Sequence, residues 1–205
     1  MEQIFTHIYE KERWGSNQHS SYKGSSGSGS SINYNKKIYV PFLKQFIKDN
    51  NIQTVADLGC GDFRCGPLIY QDLSVQYTGY DAYRGVVESH TQTYTDPKYK
   101  FVHLDFFSYK EQIESADLCI IKDVLQHWSL AKIYSFLDWA TQSKRFKYIL
   151  IISSCHQTEN DTDIKDGGFR HLSSEYLPLK KYSPKKLFVY KNKEVCLIDF
   201  NLPTQ

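Results

Sequence analysis

The stretch Val55-Ala-Asp-Leu-Gly-Cys-Gly-Asp-Phe63 runs from an apolar segment into a Gly-x-Gly turn. Glycines at the carboxyl end of a strand let the backbone approach a ligand closely, and the following helix directs its N–H groups at the same place. Doubly wound sheets bind their ligands at this edge. We therefore predict that Gly59 and Gly61 line a ligand site at the end of the first strand of a parallel sheet.

The charges around this turn indicate which ligand it binds. Asp57 precedes the first glycine by two positions, and Arg64 stands where a dinucleotide-binding Gly-x-Gly-x-x-Gly motif has its third glycine. A carboxylate repels a pyrophosphate and attracts an ammonium group. The pattern favours S-adenosylmethionine (SAM), which carries an ammonium group, over NAD.

Two further acids follow the next two predicted strands. Residues 76–81 form the second strand, which ends in Asp81, and residues 100–104 form the third, which is followed by Asp105 and Phe106. A carboxylate in the first position can accept both ribose hydroxyls, and an acid beside an aromatic ring can meet the adenine amino group. Each acid taken alone also fits a helix N-cap. Three acids at consecutive strand ends indicate a nucleoside site.

Strands and helices alternate along the rest of the chain, which predicts an α/β fold. We expect a Rossmann-like, doubly wound, mostly parallel seven-stranded sheet with helices on both faces. Residues 186–190 and 194–200 flank a turn too short for a helix, so the last strand should be antiparallel. An amphipathic helix over residues 35 to 50 precedes the sheet, and Pro41 marks a kink or a fresh start in it.

Composition excludes several classes of protein. The 205 residues suit one domain, and a net charge of +2 gives no strong field toward nucleic acid or an anionic membrane. Five cysteines, an odd number, argue against a disulfide framework. The N-terminus lacks the apolar core of a signal peptide, and no apolar run is long enough to span a membrane. We expect a cytoplasmic chain without membrane insertion or a nucleic-acid partner, and the oligomeric state stays open.

With these motifs the chain resembles the class I SAM-dependent methyltransferases. Residues 57–61 match their nucleotide-binding signature, Asp81 their ribose-binding acid and Asp105 their adenine-contacting acid. A narrower set of motifs is similar to small methyltransferases of bacteria and large viruses, some of which O-methylate sugars in glycan assembly. That set comprises Tyr9-Glu-x-x-x-Trp14-Gly15, the Ser/Gly stretch before Ser31, Lys122-Asp-Val-Leu-Gln-His-Trp128 and Asp166-Gly-Gly-Phe-Arg170.

The resemblance implies how the chain is divided. A single methyltransferase domain spans residues 1–205, with an N-terminal cofactor-covering segment at 1–34 and a Rossmann-like core at 35–205. Serine hydroxyls and glycine N–H groups are suitable donors to the carboxylate of SAM, so residues 14–31 are interpreted as a lid, a flexible linker being the alternative. The predicted cofactor contacts beyond the three acids and two glycines are Trp14, Ser28, Gly29, Ser30, Asp62, Phe106 and Lys122.

The segment after the fourth strand carries the acid–base candidates. An O-methyltransferase must remove the acceptor proton as the methyl group is transferred, and a carboxylate or an imidazole can do this. Asp123 and His127 are the candidates, on one face if the segment is helical. The alternative is that His127 packs at a helix start and Asp123 orients the backbone. The predicted acceptor-binding residues are Trp128, His156 and Arg170.

A loop rich in carboxylates follows the fifth strand. Asp161, Asp163 and Asp166 offer oxygen ligands, which suit Mg or Mn, but a solvated loop is the alternative and no residue is assigned as a metal ligand. The sequence therefore predicts transfer of a methyl group from SAM to a hydroxyl of a small molecule, most of all a sugar or glycan. An RNA or protein methyltransferase and a non-catalytic SAM-fold binding module are the alternatives.

Overall fold

Seven strands form one mixed sheet in the computed structural model, which describes residues 1–17, 21–155 and 162–201. The strands are β1 (Thr54–Leu58), β2 (Gln76–Asp81), β3 (Tyr99–His103), β4 (Ala116–Lys122), β5 (Phe146–Ser154), β6 (Lys185–Tyr190) and β7 (Lys193–Asp199). They lie in the order β3-β2-β1-β4-β5-β7-β6. The first five are parallel, and β7 is antiparallel to both of its neighbours. The predicted Rossmann-like sheet with an antiparallel last strand is confirmed.

Helices cover both faces of this sheet. They are α1 (Glu2–Glu10), α2 (Ile32–Asn35), α3 (Tyr39–Asp49), α4 (Gly66–Tyr70), α5 (Arg84–Thr93) and α6 (Leu130–Gln142). The apolar run in β5 shows why both faces need cover. Ile149 and Ile151 pack into the core on the side of α6, whereas Leu150 and Ile152 pack into the core on the side of α3 and α4. A strand apolar at successive positions is stable only between two packed layers.

The helical region before β1 is divided in two. The predicted helix over 35 to 50 is observed as α3, and the separate short helix α2 lies before it, with a break at residues 36–38. Pro41 lies in the first turn of α3, where its missing N–H costs no intrahelical hydrogen bond. The proline therefore marks the fresh start of a helix.

The N-terminal segment packs on the carboxyl edge of the sheet. Phe5 of α1 contacts the core on the α6 side, and Tyr9 clusters with Tyr22, Tyr83 and Val86. The rings of Tyr9 and Tyr83 stack at 4.6 Å. Residues 1–17 and 21–30 thereby lie over the strand ends that carry the predicted site. No helix within the described ranges is long and apolar enough to cross a membrane.

Removal of a buried side chain from the central strands is expected to destabilise the fold strongly. Ile120 of β4 is 1% exposed, so Ile120→Ala leaves a cavity and should lower the free energy of unfolding by about 2–5 kcal/mol. Val189 on the edge strand β6 is 46% exposed, and Val189→Ala should cost below about 1 kcal/mol. Urea unfolding followed by circular dichroism measures both. Equal losses in the two variants would contradict this view of the core.

Candidate functional site

A cavity of about 680 Å³ lies at the carboxyl edge of the sheet, beneath the N-terminal segment. It opens where β1 and β4 are neighbours, the point at which the strand order reverses and where doubly wound folds bind ligands. It is lined by residues from the ends of β2, β1, β4 and β5, which are neighbours in the sheet, and by residues of the covering segment. The predicted site residues among them are Trp14, Ser28, Gly29, Ser30, Asp57, Gly59, Gly61, Asp81, Phe106, Lys122, Asp123 and His127.

The glycine turn after β1 has a geometry that other residues would strain. Gly59 and Gly61 have φ angles of +81° and +52°, in the left-handed region. A Cβ on Gly59 would lie 2.5 Å from Val124 Cγ2, and one on Gly61 would lie 2.3 Å from Ser26 Oγ. The turn therefore needs glycine at both positions for conformation and for space.

Asp57 faces the cavity from the end of β1. Its Oδ2 accepts a hydrogen bond of 2.8 Å from the hydroxyl of Tyr77. Burial raises the pKa of Asp57 to about 6, although the Tyr77 hydrogen bond and the Lys122 ammonium oppose this rise. A desolvated carboxylate of this kind is stabilised by a cationic partner, so the position suits the ammonium group of a ligand.

Asp81 closes β2 and is buried beside the glycine turn. Its Oδ2 accepts the Gly61 N–H at 3.0 Å, and its Oδ1 accepts the Tyr83 N–H at 2.9 Å. Burial raises the pKa of Asp81, and these two backbone hydrogen bonds counteract the rise. Each carboxylate oxygen keeps a second lone pair, so the oriented group can still accept hydroxyl donors from the cavity.

Ser26 joins the covering segment to the glycine turn. Its Oγ accepts the Asp62 N–H at 2.8 Å and lies 2.7 Å from the Tyr9 hydroxyl. Its own N–H donates to Asp62 Oδ2 at 3.0 Å, and the Tyr22 hydroxyl donates to Asp62 Oδ1 at 2.8 Å. Residues 21–31 are therefore held against the glycine turn after β1, and their role as a lid over the cofactor stays a prediction.

Two acids predicted to contact the cofactor do not line the cavity. Asp62 directs both carboxylate oxygens at the covering segment and pairs with Arg64 at 3.3 Å. Asp105 accepts hydrogen bonds from the Ser108 hydroxyl at 3.0 Å, the Glu2 N–H at 3.3 Å and the Met1 amino group at 2.7 Å. The prediction for both side chains is corrected: Asp62 anchors the segment, and Asp105 caps the start of α1 and the turn after β3.

The predicted acceptor-binding residues also lie elsewhere. Trp128 is 1% exposed and packs among Phe106, Phe107 and Phe136 in the core on the α6 side, so its prediction as a substrate contact is wrong. Arg170 is 1% exposed, pairs with Asp163 and does not line the cavity, which corrects its assignment as well. His156 lies outside the described residues.

The carboxylates after β5 act as caps for α6. Asp163 accepts the Leu130 N–H at 2.9 Å, and Asp166 accepts the Ser129 N–H at 2.9 Å while pairing with Lys132 at 2.6 Å. Asp161 lies outside the described residues. In residues 1–17, 21–155 and 162–201 no group of three or more His, Cys, Asp or Glu side chains is placed to hold a metal ion.

Asp123 follows β4 and bridges two lysines. Its φ is +60°, and its carboxylate oxygens pair with Lys122 at 2.6 Å and with Lys193. Burial acts to raise the pKa of Asp123, but the two ammonium groups outweigh it and hold the pKa below its ordinary value of 3.8. This carboxylate is a stable anion and a weak proton acceptor.

His127 ends a 3₁₀ turn at residues 125–127 and faces the same cavity. Its Nδ1 lies 2.7 Å from the Gly168 carbonyl oxygen, which can only accept, so Nδ1 carries the proton. Ser154 N–H donates to Gln126 Oε1 at 2.7 Å, which turns the amide nitrogen of Gln126 toward His127 Nε2 at 3.4 Å. Burial lowers the pKa of His127 below 6.5. Its Nε2 is therefore unprotonated at neutral pH, and its lone pair accepts the Gln126 amide N–H.

Several cavity residues were missed by sequence reasoning. Lys193 begins β7, Tyr34 lies in α2, and Phe169 follows the two glycines of the loop after β5. No motif in the sequence marks Lys193 or Tyr34, and Phe169 lies within the Asp166-Gly-Gly-Phe-Arg170 motif but was not assigned to the site. The antiparallel last strand could have indicated Lys193. Such a strand begins at the edge where its parallel neighbours end, so a lysine at its start lies at the same edge as the site.

Asp62→Asn is expected to loosen the covering segment. The substitution removes a charged acceptor from Ser26 and Tyr22, and hydrogen bonds to charged groups are the stronger ones, so amide exchange over residues 21–31 should accelerate about tenfold. Hydrogen exchange read by mass spectrometry measures it. Asp72→Asn, at a side chain that is 75% exposed, is the matched control. Unchanged exchange in Asp62→Asn would show that the segment is held by other contacts.

Comparison with solved structures agrees with this fold. No family model and no curated protein sequence matches the chain. It is similar to human N-acetylserotonin methyltransferase in complex with SAM, with TM-score 0.65 and 18% identity over 96% of this chain and 59% of that one. The DhpI–SAH complex aligns with a TM-score of 0.64 and 12% identity over 96% of this chain and 93% of that one. The mitomycin 7-O-methyltransferase MmcR aligns with a TM-score of 0.59 and 17% identity over 79% of this chain and 54% of that one. The chain thus spans 59% of the length of the human enzyme, and it has the Rossmann-like fold of these methyltransferases.

Proposed function

We propose that this chain is a SAM-dependent methyltransferase that transfers a methyl group to a hydroxyl oxygen of a small acceptor, with His127 as the base. The observation that carries the proposal is the convergence of Asp57, Asp81 and His127 on one cavity at the switch point of the sheet. Structural neighbours crystallised with SAM or SAH, and others described as O-methyltransferases, support it.

The residues at the cavity suit each part of SAM. Asp81 would accept hydrogen bonds from the ribose hydroxyls, and Asp57 would pair with the ammonium group. The Phe106 ring would pack on the adenine. The hydroxyls and N–H groups of residues 28–30 would meet the carboxylate. When bound, SAM supplies an electrophilic methyl carbon on a sulfonium sulfur. The close approach of the glycine turn, where added Cβ atoms would collide, fits a cradle for such a ligand.

His127 is a better base than Asp123. The Asp123 carboxylate is neutralised by two ammonium groups, whereas His127 Nε2 is unprotonated and its ring is fixed through Nδ1. When the acceptor hydroxyl replaces the Gln126 amide as the donor to Nε2, this neutral imidazole can take the hydroxyl proton as the oxygen–carbon bond forms. The ring of Trp14 lies 4.8 Å from His127, so the covering segment also helps to hold the base in place. Alignment of the acceptor oxygen with the methyl group of SAM would supply the remaining rate enhancement.

A sugar or glycan is the acceptor class we propose. Phe169 is 50% exposed, lines the cavity and lies 5.9 Å from the His127 ring. An exposed aromatic face beside the base can pack against the apolar face of a sugar ring. The net charge of +2 offers no strong field for RNA, which leaves an RNA or protein acceptor as the weaker alternative.

The proposal predicts SAH binding that depends on Asp81. Calorimetric titration of SAH should give micromolar affinity, and Asp81→Ala should weaken it at least about tenfold, because two hydroxyl hydrogen bonds to a charged acceptor are lost. Asp117→Ala is the control. It also removes a carboxylate that accepts two backbone N–H groups, those of Gln53 and Thr54, but this carboxylate lies at the amino end of β4, away from the cavity. Absence of binding in the wild-type protein would instead favour a non-catalytic module.

His127→Asn is expected to lower kcat about 10²–10⁴-fold with SAH affinity unchanged. Asparagine keeps a donor toward Gly168 but has no basic nitrogen. Because burial lowers the pKa of His127 in the free enzyme, wild-type kcat/KM should be constant at pH 7 and above and fall only as the pH drops below 6.5, where the ring becomes protonated. A radiolabelled methyl-transfer assay on the first sugar turned over measures both. His7→Asn, on the exposed face of α1, is the control. A larger loss in Asp123→Asn than in His127→Asn would transfer the role to the carboxylate.

A further inference from the structure

Lys193 is a buried ammonium group on the wall of the proposed active site. It is 3% exposed, lines the cavity and pairs with Asp123. Lys122 pairs with the other oxygen of the same carboxylate and donates to the Gly29 carbonyl at 3.3 Å. Lys122, Asp123 and Lys193 thus form a cluster in which two ammonium groups share one carboxylate. Lys122 is also attracted by the Asp57 carboxylate, whereas Asp123 is the one carboxylate among the described residues that pairs with Lys193.

The hydrogen bonds of this cluster are incomplete. An ammonium group has three N–H donors, and within residues 1–17, 21–155 and 162–201 Lys193 has one hydrogen-bond acceptor, on Asp123. Its Nζ also lies 5.4 Å from the centroid of the Tyr34 ring. A buried donor without an acceptor costs free energy. The remaining N–H donors of Lys193, on the wall of the cavity, therefore suit an anionic ligand.

Strand order places this group on the acceptor side. Asp57 and Asp81 end β1 and β2, whereas Lys193 begins β7, with β4 and β5 between β1 and β7. Lys193 is paired in register with Ser154 at the end of β5, and its charge acts on His127, whose pKa it lowers. The nucleoside residues and Lys193 therefore flank the base from opposite halves of the sheet.

Resting on the function proposed above, we infer that Lys193 binds an anionic group of the methyl acceptor. The acceptor class is then a hydroxylated small molecule, such as a sugar, that carries a carboxylate or a phosphate. Phe169 offers the apolar contact, His127 takes the proton of the hydroxyl, and Lys193 fixes the distance between that hydroxyl and the anion. Lys193 becomes the residue that distinguishes an acidic acceptor from a neutral one.

The carboxylate of SAM is the rival occupant. A Cβ on Gly29 would lie 3.0 Å from Lys193 Nζ, so the loop proposed to hold that carboxylate borders the same ammonium group. Ligands that lack either the amino-acid part of the cofactor or the charge of the sugar distinguish the cofactor carboxylate from an acceptor anion. 5′-Methylthioadenosine keeps the nucleoside of SAH without its amino acid, and glucose keeps the ring of glucuronate and glucose 6-phosphate without their charge.

The experiment compares Lys193→Met, which keeps the length without the charge, with Lys193→Arg, which keeps the charge. Lys185→Met, at an exposed lysine on β6, is the control. Calorimetry measures SAH and 5′-methylthioadenosine first, and then the three sugars with and without SAH. We expect SAH affinity within about twofold of wild type in all variants. Glucuronate or glucose 6-phosphate should bind at least about tenfold more tightly than glucose in wild type, Lys193→Arg and Lys185→Met, and this preference should be lost in Lys193→Met.

Three results would overturn the inference. The first is a tenfold loss of SAH affinity in Lys193→Met with 5′-methylthioadenosine unaffected, which would assign Lys193 to the cofactor carboxylate. The second is the absence of any anionic preference in the wild-type protein, including failure of all three sugars to bind. The third is a preference that survives in Lys193→Met. Failure of SAH to bind wild type would be a separate result, against the proposed function itself.

Discussion

The contact between Ser26 and Gly61 couples the covering segment to the sheet. A side chain on Gly61 would occupy the position of the Ser26 hydroxyl, so this approach is open to glycine alone. The same residue donates its N–H to Asp81, and the next residue exchanges two hydrogen bonds with Ser26. One turn therefore ends β1, orients the acid of β2 and holds the covering segment. The shape of the cavity and the position of this segment follow from a backbone conformation that needs glycine at residues 59 and 61.

Most of the fold could be predicted because its signals are local. The continuous apolarity of residues 149–152 reports burial on both faces, and the short turn at 191–192 leaves no room for a crossover helix. Pro41 was informative for the same reason, since the missing N–H restricts it to the first turn of a helix. The positions of loops over the cavity were not predictable in this way, because contacts between distant parts of the chain determine them.

The site shows where the rule of strand-end acids succeeds and where it fails. Asp57 and Asp81 lie at the ends of β1 and β2 and face the cavity, whereas Asp105 comes after β3 and is turned away by Ser108 and by the start of α1. The sequence contains both kinds of acid in the same pattern, and the contacts of Asp105 with Ser108 and with the start of α1 separate them. Lys193 was missed for a topological reason: β7 is antiparallel, so its first residue lies at the edge where its parallel neighbours end.

The proposed roles of Lys193 in acceptor recognition and of His127 in proton transfer are linked through the charges around His127. Asp123 favours the imidazolium that forms when the base takes a proton, whereas Lys193 disfavours it. An anion bound by Lys193 would offset that unfavourable charge, so His127 would become more basic when an acidic acceptor is present than when water fills the cavity. A neutral sugar would gain no such help. Specificity for an acidic acceptor would then arise in the chemical step as well as in binding, because the same ammonium group acts on both.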